Sequence, residues 1–550
     1  MKPIFKSFGS VFSSMPIGIK TFVLLSLLHV FYGAAIGLFQ DILPIHEWRK
    51  TDSLSFALNY IHSNNLFEPH TNFILQNGHT NAAAEFPIIY FLIGKLWGIF
   101  GVHVGIAKMF SVVTLFTAIS LFSVVMKTVL RSELKVLLFV FLLYSSPILV
   151  TYADSCMPNV IALSFLMYAG FFLHRYMNYA TKKKRSFLLF TLFLSLALLI
   201  KVTAILAVLA MVFGYFVYVF FNKKLFAEQK RVVFAILASF IFACIVTVLW
   251  YQYAIRYNQA HDVTTFSTTT RPIWEANFEM RQAVWAALKD KQQYLFYHPL
   301  LLAISLIVYF YLSIKGRISV FYHAAFVGGL TLLSAYFILW FWVFDVHDYY
   351  LIEILFVPLV LFTAILKGID LKAQPLPAKI SGTIVLIWIT IQSQLTISVC
   401  FGSNKFDSMR RLLVSEKLVD ERAYFHWYHQ DHLKQLQDHV DEINQLIEPD
   451  ARILCLSDDS PNVHLFTLRH EGFTNMRIDQ QDRTASIQSC IDQGARYLLI
   501  IGRDRWDDTV AQFTDERIYQ FKNIELFTLV KPFVNNSTHE PNNDPNKKSI

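Results

Sequence analysis

Apolar runs dominate the first 400 positions of the chain. A helix needs about 20 apolar residues to cross a bilayer core. Runs of that kind fall at 20–40, 86–101, 103–126, 134–152, 158–173, 186–200, 202–221, 232–252, 299–314, 319–344, 349–366 and 380–400. Two longer polar stretches interrupt them. Residues 41–85 carry a helical pattern over 52–63 and then a Gly/Asn/His-rich segment, and residues 253–298 hold Tyr, Trp and Arg with a second surface helix around 274–288. After residue 400 the pattern turns polar. It predicts an amphipathic helix over 416–447, a strand at 452–457, helices at 461–471 and 483–493, and a strand at 496–501 closed by Gly502. Strands alternating with helices predict a small α/β domain. The expected architecture is an α-helical polytopic membrane domain (1–400, about 11–13 transmembrane helices), an α/β domain (401–534) and a disordered Asn/Pro/Ser/Lys-rich tail (535–550).

Composition sharpens this reading. Of the 550 residues 55% are hydrophobic, 51 are Phe and only 16% are charged, which leaves too little polar side chain to coat a soluble globule. Disorder of the whole chain is excluded by the same numbers. Residues 401–550 hold 18 basic and 24 acidic residues, so the tail is acidic and the excess of basic charge belongs to the membrane part. An acidic soluble face excludes nucleic-acid binding. Five cysteines without close spacing exclude a thiolate zinc site, although Cys455 and Cys490, both in the tail, are candidates to pair.

Basic residues also set the orientation. Lys127/Arg131/Lys135, Arg175/Lys182–Arg185, Lys223/Lys224/Lys230/Arg231, Lys315/Arg317 and Lys367/Lys372/Lys379 mark turns on the cytoplasmic side, while turns 152–158 and 345–350 contain no Lys or Arg. The soluble domain is thereby expected outside the cytoplasm. Parity requires either one incomplete crossing before residue 127, for which the short run 86–101 with Lys95 is the candidate, or one further short helix. The first apolar run follows Lys2, Lys6 and Lys20 and reads as an uncleaved anchor rather than a signal peptide, because charged residues of chemical interest begin directly after it.

Those residues are His46-Glu47-Trp48-Arg49-Lys50-Thr51-Asp52, preceded by Asp41. Such a cluster at a membrane exit is either a wet turn or a group-transfer site, with a carboxylate as base and Arg49 against a phosphate. Glu85 precedes Phe86-Pro87 at the next apolar run, Asp154 sits in a charge-poor turn where it either caps a helix or serves the site, and Lys201 separates two apolar runs on the side away from the lysine-rich turns. An intramembrane cation reads as functional unless it snorkels to lipid headgroups. His347-Asp348-Tyr349-Tyr350 stands on the same face, a weak metal pair and a better match to a polar headgroup or sugar. The charge-derived topology puts all these groups on one side of the membrane.

In these segments, together with Phe100-Gly101, Tyr152-Ala153-Asp154 and Lys201-Val-Thr-Ala204, the chain resembles the GT-C superfamily of integral-membrane glycosyltransferases. It is most similar to the branch holding protein O-mannosyltransferases and lipid A aminoarabinose transferases. The resemblance implies a polyprenyl-phosphate-linked sugar donor, an extracytoplasmic glycan, lipid or protein acceptor from the cell envelope, and a bacterial inner (plasma) membrane location. It implies a catalytic carboxylate in the first external loop. Where the family often has Asp-Glu this chain has His46-Glu47, which makes Glu47 the expected base, with Asp41 and Asp52 as rivals. His46, Arg49, Glu85, Asp154, Lys201, His347, Asp348 and Tyr349 are the expected substrate-binding residues, Lys201 matching a lysine on the lipid phosphate. No cofactor is implied, and a divalent metal is left open. A transporter or flippase of lipid-linked sugars is the competing class, but it predicts charges midway through helices or in paired broken helices. A sensor reading leaves Lys201 and the loop carboxylates unexplained.

Overall fold

The computed structural model describes residues 14–530 apart from 76, 179–181, 265, 267–269 and 403–406. The expected tail 535–550 lies outside the described residues. Every predicted apolar run forms helix, but many are broken. The first stops at Phe31, where Gly33 adopts a left-handed φ of 77°, and resumes over Ala34–Gly37. The run 134–152 is cut at Ser145–Ser146 into Glu133–Tyr144 and Pro147–Tyr152, with Pro147 opening the second piece. Among the described residues six helices are long and apolar enough to cross a membrane singly. Two bent pairs, Phe278–Phe296 with Pro299–Ile314 (71°) and Asp348–Ile354 with Phe356–Gly368 (42°), raise the number to eight. That is fewer than the eleven to thirteen expected, because apolar composition does not reveal where a helix breaks.

Ile88–Phe100 has 13 residues, so it rises about 20 Å and falls short of a bilayer core. Its Lys95 turns toward the first polar loop and donates to the Ser63 carbonyl at 2.8 Å. The loop helix Glu47–Asn59, longer at its start than the pattern predicted, lies directly against it. Contact is at backbone distance: a Cβ on Gly94 would fall 2.5 Å from the Ala57 carbonyl oxygen.

Helix Lys223–Ala260 runs on for 38 residues, about 57 Å, well beyond a bilayer core. Its far end is held by the first loop. Asn258 exchanges two 2.8 Å hydrogen bonds with the Ala83 backbone, and Trp250 Nε1 donates to Ala84 O at 3.2 Å. The second surface helix forms over Phe278–Ala287.

The expected helix over 416–447 is two, Glu416–Asp431 and Leu433–Leu446, broken at His432. Beyond them lies a five-stranded mixed sheet: β1 (Arg452–Cys455), β2 (Gly472–Thr474), β3 (Ala495–Ile501), β4 (Thr514–Phe521) and β5 (Ile524–Leu529), in the order β2-β1-β3-β5-β4. β1 runs parallel to β2 and β3, whereas β5 is antiparallel to β3 and β4. The β2 edge is covered by the first loop, since Ile74 N donates to Gly472 O (2.7 Å) and Gly472 N to Asn72 O (3.0 Å). One continuous apolar core joins Leu54, Tyr60 and Trp97 to Leu436, Leu465 and Leu499. Cys455 and Cys490 are buried and free.

Because the loop helix rests on Gly94, Gly94→Val is expected to lower stability by about 1–3 kcal/mol. Gly98→Val, where the nearest atoms are 3.8 Å away, should cost much less; thermal unfolding of the purified protein in detergent separates the two.

Candidate active site

A cavity of about 770 Å³ opens where the apolar helices end. It gathers His46, Glu47, Arg49 and Asp52 from the loop helix, Glu85, Lys201, and His347 through Tyr350. Local structure explains each placement. His46 takes a left-handed conformation (φ 58°) and starts the loop helix, so Glu47 occupies its first turn, where the helix dipole favours an acid. Lys201 is the extended residue between helix Lys183–Ile200 and the turn Val202–Ala204. Phe86 N donates to Leu199 O at 3.1 Å, which brings Glu85 beside Lys201.

Within the cavity the charges sort into pairs and singles. Arg49 is paired with Glu85, which also accepts from the Tyr90 hydroxyl. Burial raises the Glu85 carboxyl pKa, but Arg49 and Tyr90 outweigh it and hold the group below its ordinary value. Asp348 is the most heavily bonded carboxylate: Oδ1 receives His46 Nε2 at 3.0 Å and the Tyr152 hydroxyl at 2.5 Å, and Oδ2 receives Arg422. Glu47 Oε1 lies 2.5 Å from His429 Nδ1, and its side chain keeps 20% exposure. Two cations on the cavity wall, Lys201 and Arg271, make no direct ion pair among the described residues, although Lys201 acts at longer range on the carboxylates of Glu85 and Glu353. Lys201 sits 4.4 Å over the Tyr350 ring, and the Arg271 guanidinium 4.4 Å over the Trp342 ring. A cavity with cations outside direct ion pairs and a partly exposed carboxylate is suited to an anionic group beside a hydroxyl that must lose a proton.

Two expected residues lie elsewhere. Asp154 is buried next to a void of about 20 Å³ with Lys50 and Cys156, its Oδ2 4.0 Å from Lys108 Nζ. Asp41 lines a separate groove of about 290 Å³ with His103 and Arg469. The cause is shared. Lys108 Nζ donates to the carbonyls of Gly37 (2.7 Å) and Asp41 (2.9 Å), which pins that stretch against helix Val104–Leu130 and away from the cavity. Of the three acids proposed as base, Glu47 and Asp52 therefore face the cavity and Asp41 does not.

Other residues were missed from the sequence. Arg422, Glu421 and Phe425 on helix Glu416–Asp431 line the cavity, as do Arg271 and Lys291. Asn462 Nδ2, from the sheet domain, donates to Asp52 Oδ1 at 2.9 Å. The spacing of Arg422 and His429, seven apart and hence on one helix face, was the one available signal. Among the described residues no group of three or more His, Cys, Asp or Glu is placed to hold a metal ion.

Burial pushes the Asp52 carboxyl up to about 7, with the Asn462 bond and Arg49 only partly opposing it. The folded state then holds a proton that the unfolded chain releases near pH 4, so stability falls as pH rises from there to about 7. Asp52→Asn removes this dependence. Its gain in unfolding free energy should be larger at pH 8 than at pH 5 by about 2–3 kcal/mol, read from thermal unfolding at the two pH values.

A scan against protein-family models finds no match, and a search of curated proteins finds none either. Solved structures do match over nearly the whole length. The crystal structure of ArnT from Cupriavidus metallidurans bound to undecaprenyl phosphate aligns with a TM-score of 0.54 at 11% identity, covering 92% of this chain and 97% of that one. The same protein in the apo state aligns at 0.51 and 12% identity, covering 91% and 97%. Over nearly its whole length the chain has the fold of these ArnT structures.

Proposed function

We propose that this protein is an integral-membrane glycosyltransferase that moves a sugar from a polyprenyl-phosphate donor to an envelope glycan, lipid or protein on the extracytoplasmic side of the plasma membrane. The observation that carries the reading is the cavity itself, which combines a partly exposed Glu47 with Lys201 and Arg271, two cations that make no direct ion pair among the described residues. A lipid-borne phosphate reaches such a site from within the bilayer. The ArnT neighbour bound to undecaprenyl phosphate supports the same donor class.

The step follows from where charge develops. The acceptor oxygen bonds to the anomeric carbon as the bond from that carbon to the phosphate oxygen breaks. The electron pair stays on the phosphate, and the acceptor proton passes to Glu47. One displacement of this kind inverts the anomeric centre. The departing phosphate is already acidic, so it needs cations rather than a general acid. Arg49 is largely neutralised by Glu85, which leaves Lys201, with Arg271, as the principal phosphate contact. No redox or carrier cofactor enters this balance.

The test is transfer of label from undecaprenyl-phosphate-linked glucose, mannose, galactose and 4-amino-4-deoxyarabinose to a cell-envelope extract by the purified protein. Glu47→Gln should lower kcat by about 10²–10⁴-fold while the protein still inserts and folds. Full activity in that variant would move the base to Asp52. Lys201→Met should raise KM for the donor about tenfold or more. Absence of transfer from every donor would refute the assignment.

A further inference from the structure

The expected base is held by a side chain 382 positions away. Helix Glu416–Asp431 follows the last apolar helix, Leu376–Cys400, and lies back over the cavity, with His426 Nε2 3.0 Å from the Cys400 carbonyl oxygen. Arg422 and His429 project from one face of it, the first to Asp348 and the second to Glu47. His429 is only 2% exposed against 20% for Glu47, and it does not line the cavity. Seen from the cavity, the imidazole stands behind the carboxylate.

We propose that His429 is a positioning residue for the transfer step. Its Nδ1–H donates to Oε1 of Glu47 and fixes the carboxylate so that Oε2 faces the acceptor hydroxyl. This rests on the reading of Glu47 as base and deepens it. Glu47 has three side-chain torsions and sits in the first turn of its helix, where its dipole partner is diffuse, so a second anchor is needed to select one rotamer. His429 supplies that anchor without touching substrate. The region beyond residue 400 is then part of the catalytic machinery and not an appendage to it.

The experiment uses the full chain in lipid nanodiscs, with the donors named above, and compares His429→Ala, His429→Asn and Glu47→Gln. An asparagine amide can take the place of Nδ1–H, so it should restore the contact. His429→Ala is expected to lower kcat about 100-fold with KM for the donor within twofold, and His429→Asn to recover most of that loss. Should the alanine variant not fold, His429→Phe fills the ring's space without a donor and takes its part. Wild-type kcat in His429→Ala, or equal losses in the alanine and asparagine variants with a raised KM, overturns the proposal. If Glu47→Gln is inactive while His429→Ala is not, the transferase reading stands and the positioning role fails. A fully active Glu47→Gln removes both the base and its anchor.

Discussion

Three distant stretches of chain meet on the carboxylate of Asp348. His46 comes from the start of the loop helix, Tyr152 from the broken fourth apolar run, and Arg422 from the helix beyond the last one. Burying such a pair costs desolvation that the ion pair alone seldom exceeds, so its value lies in register more than in net stability. Removing one partner is a different matter. An uncompensated charge in that place would cost about 3–5 kcal/mol, and the loop helix, the turn at His347 and the lid-like helix would lose their common reference point. The cavity exists because these three are held to one another.

The sheet domain is bound into the same arrangement from its other side. Asn462 joins Asp52 to the sheet domain, and the first loop adds its 72–74 segment to the β2 edge. The loop that carries Glu47, Arg49 and Asp52 is thus clamped between the membrane helices and the sheet. An exposed sheet edge is normally a liability in water; here it is used to fix a loop that would otherwise be free.

Much of this was legible in the sequence, for a physical reason. A charge beside an apolar run is expensive, so His46–Asp52, Glu85, Lys201 and His347–Tyr350 stood out, and all but Lys50 and Thr51 line the cavity, Lys50 turning instead to the void beside Asp154. Lys108 was passed over although it lies inside the run 103–126 and obeys the same logic as Lys201. It captures the Gly37–Asp41 stretch and Asp154, which is why Asp41 and Asp154 fall elsewhere. Arg422 and His429 left only their seven-residue spacing as a trace, because a charged residue in a polar helix is unremarkable until tertiary docking buries it. The apolar spans were readable as runs, but not their breaks. β2 is only three residues long, and β4 (TDERIYQF) shows little apolar alternation because it is the edge strand.

In the proposed function the cavity recognises a lipid-borne phosphate through Lys201 and Arg271, which make no direct ion pair among the described residues. Equilibrium binding of undecaprenyl phosphate and of uncharged undecaprenol to the protein in nanodiscs tests it most directly. The phosphate is expected to bind at least about tenfold more tightly, and Lys201→Met to remove most of the difference. Equal binding of the two lipids, or a preference that survives loss of Lys201 and Arg271 together, would contradict it.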